Sequence, residues 1–190
     1  MTVGGLVLAA GDSKRFGGPK QLAELDGRPL LEHVLIAMEG APVDRVVVVL
    51  GAHAGDVRER VPLHGAEPVV CKEWEEGLGA SLRTGAEALE GCDAIVVALG
   101  DQPRLSSEAI ARVVSQRGAD EQAVRATYNG VPGHPVLLER GVLARVPSLS
   151  GDAGARELLH GVPLREVSCD GLGSPVDVDT PEALAALSVG

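Results

Sequence analysis

The residues best placed for chemistry lie between Leu8 and Gln21, in the run Leu-Ala-Ala-Gly-Asp-Ser-Lys-Arg-Phe-Gly-Gly-Pro-Lys-Gln. Glycines at 11, 17 and 18 let the backbone turn tightly and bring its N–H groups close to a ligand. Amides gathered in this way form an anion-binding concavity, and Arg15 and Lys20 add fixed positive charge to it. The chain has only three lysines, and Lys14 and Lys20 both fall in this loop. Physically the segment reads as a phosphate cradle, and the competing reading is a surface loop of solvated charges. Neither G-x-x-x-x-G-K-[ST] nor G-x-G-x-x-G can be drawn through it, which disfavours a P-loop nucleotidase and a dinucleotide-dependent dehydrogenase. On this reading Lys20 is an exposed loop lysine with few packing contacts.

Carboxylates are the second chemical resource. Asp101 follows directly on the apolar run Ala94–Leu99, so its side chain is presented at the end of a buried strand. Magnesium takes oxygen ligands, usually one or two carboxylates completed by phosphate and water, and Asp101 suits the first of these. An ordinary turn or helix-cap aspartate reads equally well there. Asp177 and Asp179 stand two residues apart in an extended segment and so project to the same side. Either can supply a second ligand. Either, or Thr180, can instead cap the helix that begins at Pro181.

These groups need a frame, and the sequence supplies one. Aromatic residues are scarce, with one Trp, one Tyr and one Phe, so the core is built from Val, Leu, Ala and Ile. Val3–Ala9, Arg45–Leu50 and Ala94–Leu99 are continuous apolar runs, as expected of strands covered on both faces. Further strands are predicted near Pro68–Cys71, Ala123–Tyr128, Pro135–Leu138 and Leu164–Ser168, with a Gly/Pro turn between the Ala123 and Pro135 strands. Helices are predicted to start at Pro29 and over Gly55–Arg60, Leu78–Leu89, a segment capped by Ser106 or Ser107, Asp152–His160 and Pro181–Leu187. On the first of these, Leu30, Leu31, Val34, Leu35 and Met38 share one face. Strands alternating with helices imply right-handed crossovers and a mostly parallel sheet in an α/β fold. In such sheets ligands bind at the carboxyl ends of the strands, where the loops after Ala9 and Leu99 both lie.

Composition narrows the function classes. The 27 acidic residues exceed the 17 basic ones, for a formal net charge of −10. That excess repels nucleic-acid backbones and anionic membranes and leaves small phosphorylated ligands as partners. Cys71, Cys92 and Cys169 form no C-x-x-C pair and read as buried, inert thiols. The apolar start has no basic residue before it and runs into Gly11-Asp12-Ser13, which argues for a first strand over a signal peptide. No apolar run reaches the ~18 residues that span a bilayer. The expectation is one cytoplasmic domain over residues 1–190.

The Leu8–Gln21 loop resembles the signature loop of the molybdenum-cofactor nucleotidyltransferases, which share a fold with sugar-nucleotide pyrophosphorylases. The resemblance continues in the family's order through Gly100-Asp101-Gln102-Pro103, Gly133-His134-Pro135-Val136, Gly151-Asp152-x-Gly154-Ala155-Arg156 and Asp177-Val178-Asp179-Thr180-Pro181-Glu182. It covers nearly the whole chain; the first motif is highly specific and the others are persuasive jointly. It implies a three-layer α/β/α sandwich, Mg²⁺ as cofactor and release of pyrophosphate. It implies nucleotide contacts from Leu8, Ala9, Ala10, Gly11, Ser13, Arg15 and Lys20, with Lys20, Arg15 and Asp101 catalytic and Asp101 and Asp179 on the metal. The stretch Glu76–Gly85 resembles the family's base-reading segment, with Gly79 and Ser81 as candidates; a small-residue packing face explains Ser81 equally well. His134, Asp152 and Arg156 fall where the family places its acceptor, and a guanidinium can grip a terminal phosphate through two bonds. A loop histidine with no such role remains the alternative for His134. Ala10, Pro19 with Lys20, and Gly100 look like the cytidylyl-transferring branch. The resemblance thus implies CTP and molybdopterin as substrates, with a molybdoenzyme or its chaperone as a transient partner. A GTP-using or other-acceptor transferase, or a non-catalytic cofactor-binding chaperone, is the alternative.

Overall fold

The structure is a computed structural model that describes residues 1–118, 120, 122–149, 151 and 155–188, without the side chains of 155 and 156. Its central strands follow from the β-branched runs. β1 (Val3–Ala9) is flanked by β4 (Arg45–Leu50) and β6 (Ala94–Leu99), both parallel to it. Between β1 and β4 lie a two-stranded ribbon, β2 (Glu24–Leu25) with β3 (Arg28–Pro29), and helix α1 (Leu30–Glu39). Pro29 therefore caps this helix and does not begin it. α2 (Ala54–Arg60) leads to β5 (Glu67–Val70), and α3 (Leu78–Ala88) leads back to β6. After α4 (Ser107–Ser115) come β7 (Ala123–Tyr128), β8 (Val131–Glu139), α5 (Arg140–Leu143), α6 (Ala155–Leu158), β9 (Leu164–Ser168) and α7 (Pro181–Leu187). The seven-stranded sheet runs β5-β4-β1-β6-β8-β7-β9. All its pairings are parallel except those of β8, which runs antiparallel to both β6 and β7.

Side chains alternate across a strand, and here the alternation feeds two cores. Val7, Ala9, Val48, Val96 and Ala98 pack with Leu31, Leu35 and Met38 of α1 and Ile110 and Val113 of α4. Leu6, Leu8, Val47, Val49 and Val97 pack on the other face with Ala80 and Leu82 of α3 and Val142 of α5. The result is the three-layer α/β/α sandwich with a mostly parallel mixed sheet. Cys71, Cys92 and Cys169 are buried and free. Among the described residues no helix is long and apolar enough to cross a membrane.

Two expectations need correction. The turn between β7 and β8 is Asn129-Gly130, with φ of 51° and 77°, within the expected interval, but β8 begins at Val131 and not at Pro135. Asn and Gly tolerate left-handed backbone and close tight hairpins, so Gly133-His134-Pro135 lies inside the strand. The helix expected over Asp152–His160 is described only as the short α6, and Asp152 lies outside the described residues.

A third, smaller cluster matters most for the site. Leu25 of the ribbon, Leu30 of α1 and Val178 of the segment before α7 are all fully buried, with Phe16, Leu184 and Leu187 packed against them. The Val178 N–H also donates to the Asp101 carbonyl at 2.9 Å. A buried valine thus nails the penultimate segment to the end of β6, and its neighbours Asp177 and Asp179 are held beside Asp101.

Ser106 caps α4 by accepting from the Ala109 N–H at 3.1 Å, while its hydroxyl donates to the Leu172 carbonyl at 2.8 Å. Ser106→Ala is expected to lower stability by about 1 kcal/mol, the usual cost of a lost N-cap. An unfolding midpoint in denaturant, with unchanged slope, checks this.

Candidate active site

The carboxyl ends of β1 and β6 are neighbours, so the loop after Ala9 and the turn after Leu99 share one rim. Packing fixes the residue before Asp101: a Cβ on Gly100 would come within 2.8 Å of the Ala9 Cβ and 3.2 Å of the Leu8 carbonyl oxygen. Glycine at 100 is therefore required by close strand approach.

Across this rim Lys20 reaches two carboxylates at once. Its Nζ lies 2.6 Å from Asp101 Oδ2 and 2.9 Å from Asp179 Oδ1. The Lys20 side chain is only 15% exposed, which corrects the expectation of an exposed loop lysine. The ammonium is drawn in by partners 81 and 159 residues away, and no local pattern reports such partners. Burial opposes the Lys20 charge, but the charges and hydrogen bonds of Asp101 and Asp179 outweigh it and raise its pKa. The Lys20 hydrogen bond holds the Asp179 carboxyl below the usual carboxylate range, with Lys20 and Arg15 charges assisting. Arg15 sits 3.0 Å from the other Asp179 oxygen.

Asp177 behaves differently from its neighbour. Burial pushes its carboxyl up, and the charges of Asp101 and Asp179 push the same way against a hydrogen bond from Gln102. That bond, from Gln102 Nε2 to Asp177 Oδ1, is 2.7 Å long, and the same nitrogen donates to the Pro175 carbonyl at 3.1 Å. Capping of α7 falls to Thr180, whose hydroxyl accepts from the Ala183 N–H at 3.2 Å. Neither aspartate is spent on the cap.

The loop itself is braced from within. The Phe16 and Gly17 amides donate to the Ser13 carbonyl, and Ser13 adopts a left-handed φ of 59°. The amides of Gly11 and Ser13 find no protein acceptor among the described residues, as an anion cradle requires. Gln21, buried, donates from Nε2 to the carbonyls of Ala9 and Gly11, both at 3.0 Å. It ties the loop's start to its end. Sequence reasoning assigned no role to Gln21 or Gln102. The available signal was a long amide directly after a charged candidate residue, which buries only when its amide is bonded.

The other candidates divide. Leu8, Ala9 and Ala10 are buried at the end of β1. Ser81 is buried on the inward face of α3, one turn ahead of Gly85, where a Cβ would strike Leu6. Ser81 thus occupies the packing position. The Gly79 N–H donates to the Gly151 carbonyl at 3.1 Å, which brings the Gly151 loop against the start of α3 with that amide already engaged. His134 is partly buried in β8, and its carbonyl accepts from the Tyr128 hydroxyl at 3.0 Å. Burial lowers its imidazole pKa to about 4 against the pull of Asp101, so the ring is neutral at pH 7. Arg156 lies in α6, its side chain outside the described set.

The site suits a divalent cation. One oxygen of Asp101, Oδ1, is buried without a partner, and Asp101 and Asp179 already converge on a single positive charge. No trio of His, Cys, Asp or Glu among the described residues forms a ready-made centre. A hard divalent cation is typically held by one or two carboxylates, with phosphate and water completing the shell.

The chain is similar to known proteins over nearly its whole length. The model of the MobA-like NTP transferase domain matches residues 5–167. Nicotine blue oxidoreductase of Paenarthrobacter nicotinovorans is 37% identical, over 97% of this chain and 96% of that protein. The purine catabolism protein PucB of Bacillus subtilis is 32% identical, over 94% and 92% respectively. The crystal structure of Rv0371c from Mycobacterium tuberculosis in complex with manganese superposes with a TM-score of 0.86 at 30% identity, covering 100% of both chains.

The neutral imidazole sets an expected pH dependence. With a folded pKa of about 4 and an ordinary value near 6.5, the unfolded chain binds a proton at His134 that the native protein does not. Stability from this group is fully present above about pH 6.5 and declines as pH falls toward 4. Replacing it in His134→Gln should flatten that decline, so the wild-type and variant unfolding midpoints converge or cross between pH 7 and 4.5.

Proposed function

The chain belongs to the MobA-like NTP transferase family, and on that premise we propose that it transfers CMP from CTP to the terminal phosphate of a molybdopterin-type acceptor. The observation that carries this reading is the meeting of a glycine loop bearing Arg15 and Lys20 with Asp101 and Asp179 at one strand rim. Cations for a triphosphate and carboxylates for its metal lie within a single site.

In the proposed reaction an acceptor phosphate oxygen attacks the α-phosphorus of CTP in line. The new P–O bond forms as the bond to the β-phosphate bridge oxygen breaks, and pyrophosphate leaves with the electron pair. A phosphate monoester is already anionic near neutral pH, so no strong base is required. Catalysis then rests on positioning and charge neutralisation. Lys20 and Arg15 hold the β- and γ-phosphates, and the Gly11 and Ser13 amides support them. Asp101 and Asp179 would hold Mg²⁺, which would supply further neutralisation of the phosphate oxygens. In this reading His134, Asp152 and Arg156 are the acceptor-binding residues, His134 as a neutral hydrogen-bonding ring. Because Gly100 has its own packing cause, the choice of CTP rests on Ala10 and on Pro19 preceding Lys20. A molybdoenzyme or its chaperone is the proposed recipient of the product.

A second reading, an oxidoreductase, is carried by the name of one relative. One assay bears on the choice: pyrophosphate release with CTP and acceptor supports transfer, and its absence removes that reading.

Two outcomes are expected from turnover measurements. CTP should outcompete GTP at equal concentration, and a clear GTP preference would remove the cytidylyl assignment. Lys20→Ala should lower kcat by about 10²-fold, the scale of a lost electrostatic stabiliser, and lower the unfolding midpoint as well. Lys14, 87% exposed and paired among the described residues with Asp12, should be nearly silent to Ala in both assays.

A further inference from the structure

Lys20 occupies the position toward which both proposed metal carboxylates point. Its ammonium makes 2.6 Å and 2.9 Å contacts to Asp101 and Asp179, and Arg15 takes the remaining Asp179 oxygen at 3.0 Å. With two carboxylates facing two cations, the pair is neutralised before any metal arrives. A divalent ion approaching the protein alone meets no uncompensated charge on these groups and finds a bonded ammonium in its place. Only the buried Asp101 Oδ1 is unclaimed.

An ammonium has three donors, and with two of them held by Asp101 and Asp179 a polyanionic triphosphate is set in conflict with the carboxylates for its charge. From this conflict we infer that Lys20 is a placeholder cation that blocks the metal site in the nucleotide-free enzyme. Drawn onto the entering triphosphate, Lys20 leaves Asp101 and Asp179, and the two carboxylates become available to the ion that accompanies the nucleotide. One side-chain movement both opens the metal site and clamps the substrate. Metal binding is thereby coupled to nucleotide binding through Lys20, beyond any direct bond between ion and phosphate. A linkage of this kind is reciprocal. The inference rests on the nucleotidyl-transfer reading of the same site and adds to it an order of events.

The test measures Mn²⁺ binding to the protein without nucleotide, by the paramagnetic signal of the free ion. Lys20→Met should bind Mn²⁺ at least about tenfold more tightly than wild type. Arg15→Gln removes the same unit charge from the outer oxygen of Asp179 and should tighten binding by less than about threefold. Unfolding midpoints establish that each variant is folded, and Lys20→Gln replaces Lys20→Met if the latter is not. No tightening in a folded Lys20 variant overturns the placeholder role. Equal tightening at Arg15 and Lys20 overturns it too, since the effect is then diffuse charge. Pyrophosphate release by wild type is recorded separately. Tightening without wild-type turnover keeps the placeholder and removes the transfer reading, whereas turnover without tightening does the reverse.

Discussion

The ammonium of Lys20, suspended between Asp101 and Asp179, is the contact on which the rest of the site depends. It joins three segments remote in sequence: the loop after β1, the turn after β6 and the segment before α7. Each of those segments is placed by apolar packing, yet their polar ends would repel one another without a cation between them. Partial burial strengthens the attraction and also raises the cost of leaving any member unpaired. The arrangement is therefore stable only as a set. That property suits the proposed exchange of one cation for another.

The apolar frame explains why the set assembles at all. Alternating residues of β1, β4 and β6 fill two separate cores, so the sheet is covered on both faces and only its rim is open for chemistry. Val178 then does locally what the cores do globally: it is buried with Leu25 and Leu30 and carries Asp177 and Asp179 with it. Division of labour among neighbours follows. Thr180 caps α7, Gln102 holds Asp177, and Asp179 is left for Lys20 and Arg15. Gln21 closes the glycine loop against Ala9 and Gly11.

Much of this was legible in the sequence where the signal is local. Runs such as Arg45–Leu50 and Ala94–Leu99 gave strands at those bounds, because β-branched residues covered on both faces have few alternatives. The glycine loop and the aspartate after Leu99 were legible as a shared rim for the same reason. The start of β8 was drawn late, at Pro135 where the strand begins at Val131, because Pro132 and Gly133 read as turn residues although Asn129-Gly130 alone makes the turn. Lys20 looked exposed because its partners are distant in the chain, and Gln21 and Gln102 looked ordinary because a buried amide is recognised only by its acceptors. The cap at Thr180 could be drawn from spacing, but the choice between it and Asp179 needed the ion pair to decide.

The central claim is that Lys20 and Asp101 act as one unit, and a double-mutant cycle on stability tests it most directly. Unfolding free energies are measured for wild type, Lys20→Met, Asp101→Asn and the double variant, all in the absence of metal. The account predicts that the double variant is more stable than the two single losses added together, by about 1 kcal/mol or more, as for residues in direct contact. Additivity within about 0.5 kcal/mol, the behaviour of independent sites, would contradict it.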